Sequence, residues 1–253
     1  MKKNKKAGSL WIALGILLLV GAAGLSFYNF ADGIRAAKAS EAIAVQLAER
    51  IVLNNAAANG KLGGESGDGG ASSESGGSGT DDPADRQLYA GASQEAIAKY
   101  GKSVSLSTAA PYKEMPTEVI DGERYIGILE IPSLNLTLPV MENWNYERLK
   151  VSPCRYSGSY YSDDLVICAH NYARHFSPIK WIGIGEDVIF TNVEGLRISY
   201  KTSNISTVEP TAVDEMTDPE GSNGGNTWDM TLFTCNTGGQ TRCAVRCVRT
   251  DKL

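Results

Sequence analysis

Three side chains in this sequence have the types and spacing needed to break and remake an amide bond. Cys235 follows the run 231–234, His170 follows the apolar run 165–169, and Arg242 lies seven positions after Cys235. A thiolate can attack a carbonyl carbon, an imidazole can carry the protons, and a guanidinium can stabilise the oxyanion that forms. The pattern therefore predicts cysteine-based acyl transfer.

Two of these residues have a competitor nearby. His175 lies five positions after His170, in a predicted loop. Arg246 shares a strand face with Arg242 and is about 13 Å further along that strand. We expect His175 to be dispensable and Arg246 to lie on a solvated face. No aspartate pairs obviously with the histidine, since Asp229 is expected to face solvent at the start of its strand.

The segment Thr231-Leu232-Phe233-Thr234-Cys235, with Arg242 after it and the strand-ending His170 before it, resembles the sortase family. Sortases are the cysteine transpeptidases of the Gram-positive surface, and their signature is Thr-Leu-x-Thr-Cys followed by Arg. The resemblance implies an eight-stranded β-barrel in which His170, Cys235 and Arg242 are catalytic. It implies a thiolate–imidazolium pair rather than a three-member triad, and it implies no cofactor.

The same resemblance implies the substrates. Cys235 would cleave an LPxTG-like sorting signal near the C-terminus of another exported protein and hold it as a thioester. An amine of a peptidoglycan precursor or of a pilin lysine would then accept that protein. Some sortases are stimulated by calcium, but no acidic cluster in the sequence maps onto such a site.

The sortase class remains open between class B-like and class D-like. The wording of residues 156–159 and 168–171 is closer to class B and related clostridial sequences than to class A. The spacing of 65 positions from His170 to Cys235 leaves little room for the long helical insertion of a typical class B member. No apolar span follows Cys235, which argues against the pilus-building class C.

Two other functions use the same sequence features. A surface cysteine hydrolase or protease would share the acyl-enzyme but release a free acid, and a non-catalytic tethered adaptor would have Cys235 bridged or inert. A metal site formed by Cys168, His170, Cys243 and Cys247 is disfavoured. Zinc ligand pairs usually sit two to four residues apart on turns, whereas both of these pairs fall within predicted strands.

The N-terminus predicts a single-pass membrane anchor. Four lysines at positions 2, 3, 5 and 6 precede 25 uncharged residues, 7–31. That length is enough to cross a hydrocarbon layer of about 30 Å as a helix. The flanking lysines place the N-terminus in the cytoplasm and the rest outside. A cleaved signal peptide is the alternative, although its apolar region is usually only about 7–15 residues long.

Charge and cysteine content fit an exported protein that does not bind nucleic acid. Without the four N-terminal lysines the chain has 20 basic against 29 acidic side chains, which lacks the basic surface of a nucleic-acid binder. An odd number of cysteines, five, indicates a free thiol, for which Cys235 is the candidate. Cys243 and Cys247 read as small core residues, and a disulfide between Cys154 and Cys168 stays open.

Five segments are predicted along the chain: a cytoplasmic tail at 1–8, a transmembrane anchor at 9–30, a helical stalk at 31–59, a flexible linker at 60–98 and a catalytic domain at 99–253. Ile43, Leu47 and Ile51 give the stalk an apolar stripe that self-associates or leaves a solitary helix on the membrane surface. Residues 60–79 contain nine glycines and five serines. Such a stretch cannot bury enough apolar surface to offset the entropy lost when it becomes ordered.

The catalytic domain reads as an all-β-dominated fold with short helices at 145–150 and 177–181. Short apolar runs separated by turn residues predict a closed, antiparallel-rich β-barrel or a sandwich, and the sortase resemblance favours the eight-stranded barrel. The eight predicted strands are 125–131, 134–140, 165–169, 187–191, 196–201, 205–213, 230–235 and 241–248.

Overall fold

The structure, a computed structural model, describes residues 5–60, 102–103, 113–219 and 228–251. Its elements are helix α1 (Lys5–Gly60), strands β1 (Lys102–Ser103), β2 (Glu118–Ile120), β3 (Glu123–Ile131) and β4 (Leu136–Met141), helix α2 (Tyr146–Leu149), strands β5 (Cys154–Ser157), β6 (Leu165–Cys168), β7 (Asp187–Asn192) and β8 (Leu196–Val208), helix α3 (Asp214–Thr217), and strands β9 (Met230–Cys235) and β10 (Arg242–Arg249). Short 3-10 helices lie at Pro132–Leu134 and Ser177–Trp181. The predicted linker from residue 61 to 98 lies outside the described residues.

Eight strands close into a barrel, which confirms the predicted fold. Around the barrel, β3 pairs with β4, β4 with β5, β5 with β6, β6 with β9, β9 with β10, β10 with β8, β8 with β7, and β7 returns to β3. Two of these pairings, β4–β5 and β6–β9, are parallel. Strands β1 and β2 add to β8 and β3 outside the closed ring.

The predicted strand count is right because two errors cancel. The predicted strands 196–201 and 205–213 are one strand, β8, which ends at Val208. All of β10 pairs with residues 200–208 of β8, so Thr202 and Asn204 stay in the ladder. The register shifts between Arg246 and Cys247, where Ser203 is skipped. The prediction also missed β5, a four-residue strand that pairs antiparallel with β6.

Alternate residues of each strand face two separate apolar layers. The interior layer fills the barrel, and the outer layer lies between the barrel wall and α1. In β10, Cys243, Val245 and Cys247 face the interior while Ala244 faces the outer layer, as the strand period of two requires. Cys243 and Cys247 are therefore core residues, as the sequence predicted.

The second half of α1 packs on the barrel, an arrangement that differs from both alternatives considered for the stalk. Ile43, Leu47 and Ile51 are buried against residues of β2, β3 and β4. Arg50 forms an ion pair with Glu118 of β2. Burying a leucine or isoleucine fully stabilises a fold by about 1.5–3 kcal/mol. This part of the helix is thus an outer layer of the catalytic domain.

The first half of α1 is exposed. The part of α1 from residue 11 to residue 56 is long and apolar enough to contain a membrane span. None of its most apolar stretch is buried in the protein. Every described side chain from 11 to 30 is exposed. Because Trp, Ile, Leu and Phe side chains are costly to leave in water, this half of the helix has the character of a membrane anchor.

Candidate active site

The three candidate residues lie at the ends of three adjacent strands. Cys235 is the last residue of β9, and Arg242, the first residue of β10, is its direct partner in the antiparallel ladder. Strand β6 lies on the other side of β9 in parallel register, with Cys168 opposite Phe233.

This parallel register continues beyond the last residue of β6. The Ala169 N–H donates to the Phe233 carbonyl at 3.2 Å. The hydroxyl of Thr234 donates to the Ala169 carbonyl at 2.8 Å. His170 and Cys235 are the next residues on their respective segments, so this register puts their backbones at neighbouring positions at one edge of the barrel.

These residues belong to the outer face of the barrel wall. Phe233 and Ala244 face the outer layer, so by alternation Cys235 and Arg242 face outward as well. Cys235 is partly exposed, whereas the other four cysteines are buried. A nucleophile needs this partial access, which a core cysteine lacks.

Arg242 keeps an adaptable set of hydrogen bonds. Its Nη1 donates to the carbonyls of Gly239 and Thr241, at 2.9 and 3.2 Å. The loop that supplies these carbonyls is tight, because Gly238 and Gly239 take positive φ angles of 85° and 72°. Gly239 is exposed and Thr241 is only partly buried, so water can replace both acceptors if the guanidinium turns towards a developing negative charge.

The environment of His170 favours its neutral form. The side chain is half-buried, and burial lowers its pKa below the ordinary value. The carboxylate of Asp32 on α1 acts in the opposite direction, while Lys150 adds to the lowering. An imidazole that is neutral near pH 7 can accept a proton and later return it.

His175 is a buried structural residue. Its side chain has no exposed surface, and burial lowers its pKa to about 4. The backbone of Ala36 on α1 partly offsets this shift, although neither ring nitrogen makes a hydrogen bond of good geometry within the described residues. His175 is therefore inaccessible to a substrate in this structure.

Arg246 does not lie on a solvated face, and that prediction is wrong. Its side chain is 6% exposed and donates to Asn204 and Ser206 on β8 and to the Glu215 carbonyl. Its guanidinium also stacks 4.7 Å from the centre of the Trp228 ring. The segment after β8 folds back over the strand, which spacing along β10 does not reveal.

Asp229 does not face solvent either. It is 4% exposed, and its carboxylate accepts a hydrogen bond from the Arg249 N–H at 2.7 Å. This bond ties the start of β9 to the end of β10. Asp229 therefore lies at the opposite end of both strands from Cys235 and Arg242.

The remaining cysteines do not form the sites that the sequence left open. All five thiols are free. Cys154 and Cys168 are direct partners across β5 and β6, and burial raises the pKa of Cys154 to about 12. Cys168 faces the outer layer, whereas Cys243 and Cys247 face the interior, so the metal site weighed for these residues has its ligands on opposite sides of the wall.

Two features near Cys235 were missed by the sequence reasoning. The first is the role of Thr234, whose bond to Ala169 links the cysteine strand to the histidine strand; its place in the motif was the available signal. The second is an aromatic row on the outer face. Tyr156 packs edge-on against Phe233 at 5.2 Å and stacks on Trp144 at 5.4 Å. No periodicity indicated this row, because its members come from three separate segments.

Residues 129–250 match the family model of the sortase domain. Among solved structures, the chain is similar to sortase C1 from Streptococcus agalactiae, with 24% identity, 52% of this chain and 70% of that chain covered, and a TM-score of 0.44. It is also similar to a sortase D5 transpeptidase from Clostridium perfringens, with 16% identity, coverages of 53% and 82%, and a TM-score of 0.44. A third similar structure is sortase A from Corynebacterium diphtheriae, with 17% identity, 67% of this chain and 86% of that chain covered, and a TM-score of 0.45.

At TM-scores below 0.5 these likenesses carry no weight of their own. No curated protein sequence matches the chain at a significant level. The assignment rests on the domain match, which covers seven of the eight barrel strands completely and the end of the eighth, β3. Residues 129–250 therefore match the sortase domain, and this match supports a cysteine transpeptidase.

Proposed function

We propose that this transpeptidase is a membrane-anchored sortase in which Cys235 is the nucleophile, His170 the general acid and base, and Arg242 the oxyanion partner. The observation that carries the proposal is the register of β6, β9 and β10, which brings these three residues to one edge of the barrel. The chemistry needs these three groups and no cofactor.

In the first half-reaction, neutral His170 takes the proton of the Cys235 thiol, and the resulting thiolate attacks the Thr carbonyl carbon of an LPxTG-like sorting signal. A C–S bond forms, and the carbonyl oxygen becomes an oxyanion that the guanidinium of Arg242 stabilises. The C–N bond of the Thr-Gly peptide then breaks, and the His170 imidazolium gives its proton to the leaving amine. The product is a thioester between Cys235 and the exported protein.

In the second half-reaction, an acceptor amine attacks the thioester and gives a proton to His170. The C–S bond breaks and the thiolate returns. The acceptor is an amine of a peptidoglycan precursor or of a pilin lysine. Because leaving and incoming amines exchange protons with the same imidazole, both use the His170 side of the site.

The exposed end of the aromatic row offers a surface for the apolar part of a sorting signal. Trp144 is 39% exposed and stacks on the partly buried Tyr156. Tyr156 packs in turn on Phe233, two residues before Cys235. Small-molecule and peptide sites are typically lined by such aromatic and aliphatic groups, which suits the Leu-Pro end of the signal.

The membrane topology completes the proposal. The lysines at 2–6 stay in the cytoplasm, the exposed apolar part of α1 spans the membrane once, and the barrel is extracellular. Both substrates are then reached on the outer surface of the cell.

Product analysis separates transfer from hydrolysis. The full chain in detergent is incubated with a fluorescent LPxTG peptide, with and without a primary amine. We expect a new amide product that increases with amine concentration and is absent for Cys235→Ala. Release of free acid alone at saturating amine would show a hydrolase, and no turnover of any sorting peptide would contradict the proposal.

A further inference from the structure

The turn that carries His170 is built around one aromatic ring. The ring centre of Tyr172 lies 5.0 Å from that of His170 and 5.5 Å from that of His175. Backbone bonds close the turn, because the Phe176 N–H donates to the His170 carbonyl and the His175 N–H to the Tyr172 carbonyl. The orientation of His170 therefore depends on where Tyr172 is held.

Helix α1 holds Tyr172 directly. The phenol donates a hydrogen bond to the Asp32 carboxylate at 2.6 Å, and Gly33 lies beside the ring. Burial, followed by the bond to Asp32, raises the pKa of Tyr172 to about 12. The phenol is thus a permanent donor to an acceptor that carries charge, which makes a strong and well-directed hydrogen bond.

The same turn of α1 borders the site. A cavity of about 750 Å³ lies between α1 and the segment 170–174, with His170, Tyr172 and Asp32 among its lining residues. The charged groups around it are Asp32, Lys38 and Glu41 on α1 and Arg174 on the loop. Lys150 also acts on His170. Of these groups, Asp32 accepts the hydrogen bond from Tyr172 and so is tied to the histidine turn.

We propose that Tyr172 and Asp32 are positioning residues for His170, so that the part of α1 just beyond the uncharged segment is a wall of the active site. The inference rests on the proposed role of His170 as acid and base. It gives α1 a second task besides anchoring: the helix sets the orientation and the charge environment of the imidazole. Because the uncharged segment ends at Ala31, one residue before Asp32, the site also lies next to the proposed membrane boundary.

Two variants separate orientation from charge. Tyr172→Phe removes the hydrogen bond and leaves the Asp32 charge in place. Asp32→Asn removes the charge but keeps an oxygen that the phenol can still bond to. Glu49→Gln is the matched control, because Glu49 is an exposed carboxylate on the same helix.

The test uses the full chain in lipid nanodiscs and two readouts. Peptide acylation kinetics give kcat and KM, and NMR of ring-labelled histidine follows the titration of the chain's two histidines. We expect Tyr172→Phe to lower kcat about tenfold with little change in KM, because the imidazole loses its orientation. Asp32→Asn should keep kcat within about threefold but lower the pKa of His170. Glu49→Gln should leave both unchanged.

Unchanged kcat in Tyr172→Phe together with an unchanged His170 titration in Asp32→Asn would overturn the inference. An equal shift of the His170 titration in Glu49→Gln would also overturn the role of Asp32, since any carboxylate on α1 would then suffice. If Tyr172→Phe fails to fold, the Asp32→Asn titration decides. Absence of an acyl-enzyme in the wild type would instead remove the proposed function itself.

Discussion

Two arginines on the same face of β10 differ in burial and in hydrogen-bond partners. Arg242, at the start of the strand, is partly exposed and donates to carbonyls of the loop before it. Arg246 lies four residues further along the strand and is buried under the segment after β8. Asn204 and Ser206 accept its hydrogen bonds, and Trp228 covers its guanidinium.

The difference shows how one strand serves both chemistry and structure. A guanidinium whose donors are already bound to fixed acceptors cannot turn to a transient oxyanion without leaving those acceptors unpaired. Arg246 is in that position, and burial also lowers its pKa. Arg242 can exchange the loop carbonyls for the oxyanion at less cost, because water can reach these carbonyls once the guanidinium leaves them.

The two histidines repeat the contrast within six residues. His170 is half-buried and lines the cavity beside α1, whereas His175 has no exposed surface. Burial lowers the pKa of both, and lowers that of His175 to about 4. One histidine is accessible for proton transfer, and the other is part of the packing that supports it.

The histidine pair gives the largest expected effect. His170→Ala should lower the rate of peptide acylation on the order of 10²–10⁴-fold, because the proton carrier of both half-reactions is lost. The melting temperature should change little. His175→Ala should instead lower the melting temperature and keep most activity per folded molecule. A greater loss of activity in well-folded His175→Ala would reverse the assignment.

The arginine pair comes next. Arg242→Lys keeps the charge but loses the fork of donors, and we expect the acylation rate to fall on the order of 10²-fold or more, the scale of losing one oxyanion donor. Arg246→Lys should instead cost about 1–3 kcal/mol in the free energy of unfolding, because buried acceptors lose their donors. Chemical denaturation and initial rates on both variants measure this. A larger rate loss in Arg246→Lys would show that our reading of β10 is wrong.

Two leucines on α1 test whether the helix belongs to the catalytic domain. Leu47 is fully buried against the barrel, and Leu53 is 66% exposed. Leu47→Ala should reduce the free energy of unfolding by about 2–5 kcal/mol, as expected for a large-to-small change in a core. Leu53→Ala should cost less than about 0.5 kcal/mol. Equal, small effects would show that α1 does not pack on the barrel in solution.

The last expected effect is the pH dependence of stability caused by His175. Its pKa is about 4 in the folded protein against 6.5 unfolded, so the unfolded chain binds the extra proton between these values. The free energy of unfolding should therefore fall as the pH falls from about 6.5 to 4, by on the order of 3 kcal/mol at most. His175→Leu should flatten this part of the stability profile. A profile identical to that of the wild type would mean that His175 is solvated.

The sequence predicted the strand positions of Cys235, His170 and Arg242 better than it predicted the residues that surround them. The run from Thr231 to Cys235 is a local pattern, and a strand followed by Gly-Gly fixes where the chain turns. The strand-ending position of His170 and the start of β10 at Arg242 follow from equally local signals. Their convergence depends on the order of the strands in the barrel, which no local pattern in the sequence predicts.

Long-range contacts explain what the sequence could not show. The stripe of Ile43, Leu47 and Ile51 predicts that one helix face is buried but not what covers it. Arg246 has the spacing of a face residue, yet a segment more than 25 residues upstream covers it. Strand β5 has only four residues and no alternation, so its membership in the barrel depends on β6 and β4 as partners.

Mass spectrometry of the acyl-enzyme tests the central claim most directly. The full chain is mixed with an LPxTG-like peptide, quenched in acid within the first turnover, and digested. We predict a thioester adduct on the peptide that contains Cys235, sensitive to hydroxylamine, with none on the other four cysteines and none in Cys235→Ala. Processing of the peptide with no adduct on Cys235, or an adduct that persists in Cys235→Ala, would contradict the account.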